Sequence, residues 1–321
     1  MIIVTGGAGF VGSCIVRTLN DLGFNDIIIV DNISSTDKWM NLQNKRYLNY
    51  INKKEFLAEI HSYNDVELII HMGACSSTTE RDFDYLWKNN FEYTKALWNY
   101  CADRQIRYIY ASSAATYGDG RHGFDDKADI DILRPLNGYG YSKQLFDMWV
   151  KHQATTFPKQ HVGLKFFNVY GPNEYYKGSM ASMIFHGFNQ IRADGEIRLF
   201  KSCNKSYENG GQLRDFVYVK DLCSVINWFI DNPEKNGLYN LGTGRAQSFR
   251  ELAEATFHAL GLEPNIRYID MPENLKNKYQ YYTKAEMEKL REIGYDKPFM
   301  DLEAGAKDYV LNYLNKGYEN Y

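Results

Sequence analysis

In the run LNGYGYSKQLF, residues 136–146, two tyrosines and a lysine stand at spacings that suit proton transfer. Pro135 and Asn137 mark the entry to a helix running through YGYSKQLFDMWVKHQ. At about 100° per residue, Tyr139 and Lys143 differ by roughly 40° and share a face, whereas Tyr141 lies about 200° from Tyr139 and looks elsewhere. Tyr139 is therefore the candidate acid or base. An ordinary phenol has a pKa of about 10, and a cation one turn away favours phenolate. A strand end, YIYASSAATYG, brings Ser112 and Ser113 to the carboxyl edge of a sheet, where open α/β folds bind ligands. Alternation past the strand favours Ser113 as the hydroxyl partner.

VTGGAGFVGS sets Gly6, Gly9 and Gly12 between a first strand and the helix that follows it. Glycine permits the tight turn and a close backbone approach to a pyrophosphate, and the helix N-terminus supplies free N–H groups with a partial positive charge. The pattern inside a βαβ unit points to a dinucleotide, whose oxidised nicotinamide would add a second cation beside Tyr139. Asp31 closes the second strand, about twenty residues on, where an acid takes the adenosine ribose hydroxyls and suggests NAD. Asn32, Lys38 and Lys53 are equally able to surround a 2′-phosphate. A carboxylate about 4 Å from that phosphate costs roughly 4 kcal/mol per charge pair at an effective dielectric near 20, so NADP requires such a lysine.

The elements that must position these residues alternate through the first half. Strands are expected at MIIVTG, at 26–31, 66–74, 106–115 and 161–171, with helices at 13–23, through NFEYTKALWNYCADRQ and along the Tyr139 segment. Strands apolar nearly throughout imply a parallel sheet covered on both faces. Beyond it, 172–213 reads as loops around one helix at 180–193. RDFVYVKDLCSVINWFI resumes strand then helix, GLYNLGTG is a further strand, and the last eighty residues mix helices and turns. The expected architecture is α/β, a Rossmann-type doubly wound parallel sheet with a smaller mixed C-terminal substrate domain. Its division is 1–168, with 215–242 returning, for the dinucleotide, and 169–214 with 243–321 for substrate.

The formal charge of −3, from 37 basic and 40 acidic residues with no basic run, argues against nucleic acid. Cys14, Cys75, Cys101, Cys203 and Cys223 lack any CxxC pair and suit free thiols in a reducing compartment rather than disulfides or zinc. No stretch reaches the ~20 apolar residues of a bilayer span, and the N-terminus reads as a strand rather than a leader. Cytoplasm, no membrane and no metal are the expectations.

HMGACSSTTE, YASSAATYG, YGYSK, FFNVYGPNEYYKGSMAS, RDFVYV and NLGTGRAQSF fall in order. Together they resemble the extended short-chain dehydrogenase/reductase family, and within it the epimerases of ADP-linked heptoses, over essentially the whole chain. The resemblance implies a bacterial enzyme that inverts carbon 6 of an ADP-heptose for lipopolysaccharide by transient oxidation, with tightly held NADP, in a homo-oligomer, a pentamer. It implies that Phe10, Val11, Asp31, Asn32, Lys38, Lys53, Asn89 and Val169 contact the cofactor, with Met72, Gly73, Ala74, Cys75 and Ser76. Tyr139 and Lys177 become the two acid/base residues, the latter also touching the cofactor, and Lys143 holds the nicotinamide ribose. Asn168, Ser179, His186, Phe200, Arg214 and Tyr279 would hold the sugar nucleotide, with Lys201, Ser202 and Cys203 beside them. A second base suits inversion, because the proton must be handled from a different side in each direction.

There are departures. FKSCNKSYENGGQLR is about ten residues longer than the corresponding family segment, with Lys201 and Cys203 in place of an acid and a glycine, and Met72 replaces an acidic residue. The rival readings are a hexose 4-epimerase, a 4,6-dehydratase and a nucleotide-sensing protein without turnover. Ala114 and Ala115 stand near the point where a dehydratase carries an Asp-Glu pair, and retention of Tyr139, Lys143, Ser113 and Lys177 argues against the third.

Overall fold

The apolar runs IIVT, IIIVD and LIIH are buried along their whole length and lie side by side in parallel, as strands covered on both faces must. The structure, a computed structural model, describes residues 1–276 and 279–321. Its strands are β1 (Ile2–Thr5), β2 (Ile27–Asp31), β3 (Asn49–Asn52), β4 (Leu68–His71), β5 (Arg107–Ser113), β6 (Gln160–Phe166), β7 (Asn168–Tyr170), β8 (Ile197–Phe200), β9 (Leu213–Tyr218), β10 (Gly237–Leu241), β11 (Ala246–Ser248) and β12 (Ile266–Ile269). The helices are α1 (Phe10–Asp21), α2 (Lys53–Glu59), α3 (Phe83–Leu86), α4 (Tyr93–Arg104), α5 (Gly138–His152), α6 (Met183–Asp194), α7 (Val219–Asp231), α8 (Phe249–Ala259), α9 (Glu273–Lys276), α10 (Glu288–Glu292) and α11 (Leu302–Asn312).

Seven strands form one parallel sheet in the order β10-β6-β5-β4-β1-β2-β3. The order reverses between β1 and β4, so the chain leaves their carboxyl ends in opposite directions and opens a crevice there. Two small sheets, β11-β9-β7 and β12-β8, lie outside it. One apolar cluster joins α1 and α7 to β1, β6 and β10, and another packs β3, α2 and α4 with Trp149 of α5.

Several boundaries differ from the sequence expectation for identifiable reasons. The first helix begins at Phe10 rather than residue 13, because Gly9 takes the extended cap conformation. The helix expected from 180 begins at Met183, where the Ser182 hydroxyl accepts from the Phe185 N–H. The strand expected over 161–171 breaks at Phe167, whose N–H turns to Leu241 O at 3.1 Å, and β7 then pairs with β9 in another sheet. β3 and β8 have no counterpart in the sequence expectation, and β11 and β12 stand where only helices and turns are expected. Among the described residues no helix is long and apolar enough to cross a membrane, and no cluster of His, Cys, Asp or Glu is arranged for a metal.

Candidate active site

The crevice begins with glycine geometry. Gly6 has φ +68°, and a Cβ there would lie 2.6 Å from Gly73 N, so β1 and β4 approach through bare backbone. A Cβ at Gly12 would run into the Gly6 carbonyl, which is why α1 can start directly under the turn. The space left above is a cleft of about 790 Å³ lined by Gly6, Gly9, Phe10, Val11 and Gly12, and across from them by Met72, Gly73, Ala74, Cys75 and Ser76.

At the β2 end a smaller recess of about 140 Å³ gathers Asp31, Asn32, Lys38, Lys53 and Asn89. Asp31 is tied down: Oδ2 accepts from Ala8 N at 3.0 Å, and Oδ1 from Asn32 N at 2.7 Å and Lys38 Nζ at 2.8 Å. Lys53 Nζ donates to Asn89 Oδ1, and partial burial lowers its proton affinity. A carboxylate already paired with a lysine is the arrangement that tolerates an additional phosphate. Tyr85 and Tyr93 also line this recess, unannounced by any sequence period.

The other end of the cleft holds Ser113, Tyr139, Lys143, Asn168, Val169, Lys177 and Ser179. Asn137 caps α5 by accepting from Gly140 N at 2.8 Å, which starts the helix just before Tyr139 and turns Tyr139 and Lys143 inward. Tyr141 is exposed and stacks on Phe83 with 5.7 Å between ring centroids. Ser113 lines the cleft with Tyr139, lowers the proton affinity of its phenol and accepts from Ala115 N at 3.1 Å, whereas the Ser112 hydroxyl donates to Asp147 Oδ2 at 2.7 Å.

Lys143 Nζ donates to Ala111 O at 2.8 Å, and burial brings its pKa down to about 8. Tyr139 departs from the sequence expectation of a phenol eased toward phenolate by Lys143. Burial raises the phenol above its ordinary value, the Ser113 hydroxyl pulls it back, and Lys143 is not among the charges that move it. Desolvation outweighs the expected help from the ammonium.

Lys177 lies over the Phe10 ring at 5.2 Å. Burial lowers its proton affinity and Glu174 opposes the change. Glu174 is itself buried and accepts from both Ser182 N and Ser182 Oγ at 2.6 Å, pinning the loop that carries Lys177 and Ser179. Gln280 and Thr283 also reach the cleft. The sequence offered no periodic signal for either, since they arrive on an irregular segment from the far end of the chain.

Phe200 and Tyr279 border a recess of about 150 Å³ beside Met183 and Phe249. Arg214 is buried next to it, its guanidinium 5.3 Å from the Tyr279 ring and 5.6 Å from Phe249. The structure does not bring His186, Lys201, Ser202 or Cys203 into these cavities. His186 sits half-buried on α6 against Phe185. Lys201 pairs with Asp270 at 3.0 Å, and the Cys203 N–H donates to the Tyr281 hydroxyl at 3.0 Å. Ser202 N donates to Asn209 Oδ1, so the long loop satisfies its own polar groups on the surface.

The profile of the NAD dependent epimerase/dehydratase family matches residues 2–242. The chain belongs to this family. A protein of Fusobacterium nucleatum subsp. nucleatum named ADP-L-glycero-D-manno-heptose-6-epimerase is 52% identical, with 98% of each chain covered. One of the same name from Nitratidesulfovibrio vulgaris (strain DP4) is 50% identical, again with 98% of each covered. The solved ADP-L-glycero-D-manno-heptose-6-epimerase of Helicobacter pylori has TM-score 0.80 and 28% identity, covering 97% of this chain and 95% of its own. UDP-glucose 4-epimerase of Thermotoga maritima, solved with UDP-glucose, has TM-score 0.82 and 25% identity over 99% of each chain. The two solved neighbours thus share an epimerase fold, and the heptose epimerases of Fusobacterium and Nitratidesulfovibrio share half of the sequence.

Proposed function

We propose that this protein interconverts ADP-D-glycero- and ADP-L-glycero-D-manno-heptose by inverting carbon 6, and supplies the heptose of the lipopolysaccharide inner core. The supporting observation is that a chain about half identical to named heptose epimerases gathers Ser113, Tyr139, Lys143 and Lys177 in one cleft behind the glycine turn. The residues fit a dinucleotide: Gly6 and Gly12 let the backbone close beneath the cleft where a Cβ would push Gly73 or the Gly6 carbonyl away, and Asp31 with Lys38 and Lys53 suits NADP. A dinucleotide held there would supply the hydride acceptor and donor for transient oxidation at carbon 6.

The chain manages protons and orientation. Tyr139, beside Ser113 in the cleft, exchanges a proton with the carbon 6 oxygen from one side, and Lys177 from the other. Lys143 would hold the nicotinamide ribose, and Arg214, flanked by Phe249 and Tyr279, would hold the nucleotide diphosphate. In this reading 1–168 with 215–242 bind the cofactor, and 169–214 with 243–321 the sugar nucleotide, in a cytoplasmic homopentamer.

The test is incubation of purified holoenzyme with ADP-D-glycero-D-manno-heptose and chromatographic separation of the diastereomers. Both are expected. No interconversion at full cofactor occupancy contradicts the reading, and turnover of UDP-glucose in its place would move it to a 4-epimerase. Heat-released cofactor should carry the 2′-phosphate; NAD alone would remove the NADP assignment.

A further inference from the structure

Tyr139, Lys143 and Asp147 recur at four-residue spacing and form one stripe along α5, from the cleft to the interior. At the inner end Asp147 meets Lys165 of β6 in an ion pair of 2.8 Å, with side chains 0% and 2% exposed. The reaction described above gives this pair no task. Stability does not explain it either, because desolvating two charges offsets most of their attraction and packed apolar side chains of similar volume serve as well.

The other contacts of the pair converge on the segment that carries Ser113. Asp147 Oδ2 also accepts from Ser112 Oγ at 2.7 Å. Lys165 Nζ also donates to Thr116 Oγ1 at 2.7 Å, and that hydroxyl donates to Ser113 O at 2.8 Å. Ser113 is thereby gripped from both sides, while Lys143 fixes the same strand through Ala111 O at 2.8 Å. We infer that Asp147 and Lys165 are positioning residues of the reaction, which hold the Ser113 segment in register with the Tyr139 and Lys143 stripe. This rests on the proposed function.

The groups that face Lys143 are Asp147 on its own helix, His71 of β4 and Cys75 beyond β4. Those that face Asp147 are Lys165, Tyr110 of β5 and Tyr117 after it. Burial drives the Lys143 proton off, and Asp147, ahead of Cys75, pushes the other way. Loss of the Asp147 charge therefore lets Lys143 deprotonate at lower pH.

The double variant Asp147→Leu/Lys165→Met removes both charges together and avoids leaving one stranded. In steady-state assays of the holoenzyme with ADP-heptose, kcat should fall about tenfold while KM stays within about twofold. The alkaline limb of the kcat profile should move down by about half a pH unit or more. A purely structural pair predicts wild-type kcat and an unmoved limb in the folded variant, and that result overturns the inference while leaving the function intact. Should the double variant not fold, Asp147→Asn decides by the same limb, unmoved being the overturning result. A wild-type holoenzyme inert toward ADP-heptose sinks both readings together.

Discussion

Tyr139 is half-buried, and the loss of water around it disfavours the phenolate that a base would need, so a catalytic role there would depend on the Ser113 hydroxyl and on a cation supplied with the cofactor. The Tyr139→Phe variant keeps the ring and its packing and loses only the hydroxyl. Turnover should drop by roughly 10²-fold or more with cofactor content unchanged; wild-type rates would exonerate the tyrosine. Lys177→Met is expected to produce a loss of similar order, about 10²-fold, at normal thermal stability, since the loop is pinned by Glu174 and not by the ammonium. A rate within a fewfold of wild type would assign the second proton elsewhere. Tyr139 was legible because helix angle alone separates it from Tyr141. Lys177 was not: a lysine in a loop has no period, and its burial against Phe10 depends on residues far apart in the chain.

The first turn of α1 is where local sequence and tertiary approach agree most closely. Gly12→Ala would drive a methyl into the Gly6 carbonyl, a backbone group that cannot swing aside. The protein should lose bound dinucleotide and melt earlier, with destabilisation of about 1–3 kcal/mol by denaturant titration; a variant retaining full cofactor content would contradict the cradle. Helices that begin at Asn137 and Ser182 follow the capping side chain, so their starts were readable to within a turn. β3 and β8 were not. NYIN is short and half polar, and IRLF is held by pairing with β12, nearly seventy residues away, which local patterning does not encode. Within 200–214, Phe200 and Arg214 lie at the recess, whereas Lys201, Ser202 and Cys203 turn polar groups to Asp270, Asn209 and Tyr281.

The whole molecule carries a pH dependence through His71, 1% exposed in the centre of the sheet between the hydroxyls of Thr5 and Thr94. Burial, and then Lys143, hold its proton affinity well below the ordinary value. Below about pH 6.5 the unfolded chain binds a proton there that the folded chain does not, so stability is full above that pH and falls below it. The slope from this group is about 1.4 kcal/mol per pH unit. His71→Gln should flatten the acid limb of a denaturation series, and an unchanged slope would place the acid sensitivity on other groups. At this scale the parallel sheet and its glycine turn were legible from apolar runs, whereas the two small sheets, built from three- to six-residue strands brought together across the chain, were not. The central claim is that carbon 6 is inverted by hydride leaving and returning within one cleft. ADP-heptose deuterated at carbon 6 and turned over in ordinary water tests it most directly: the inverted product should retain its deuterium, and wash-out of the label into solvent would contradict the account.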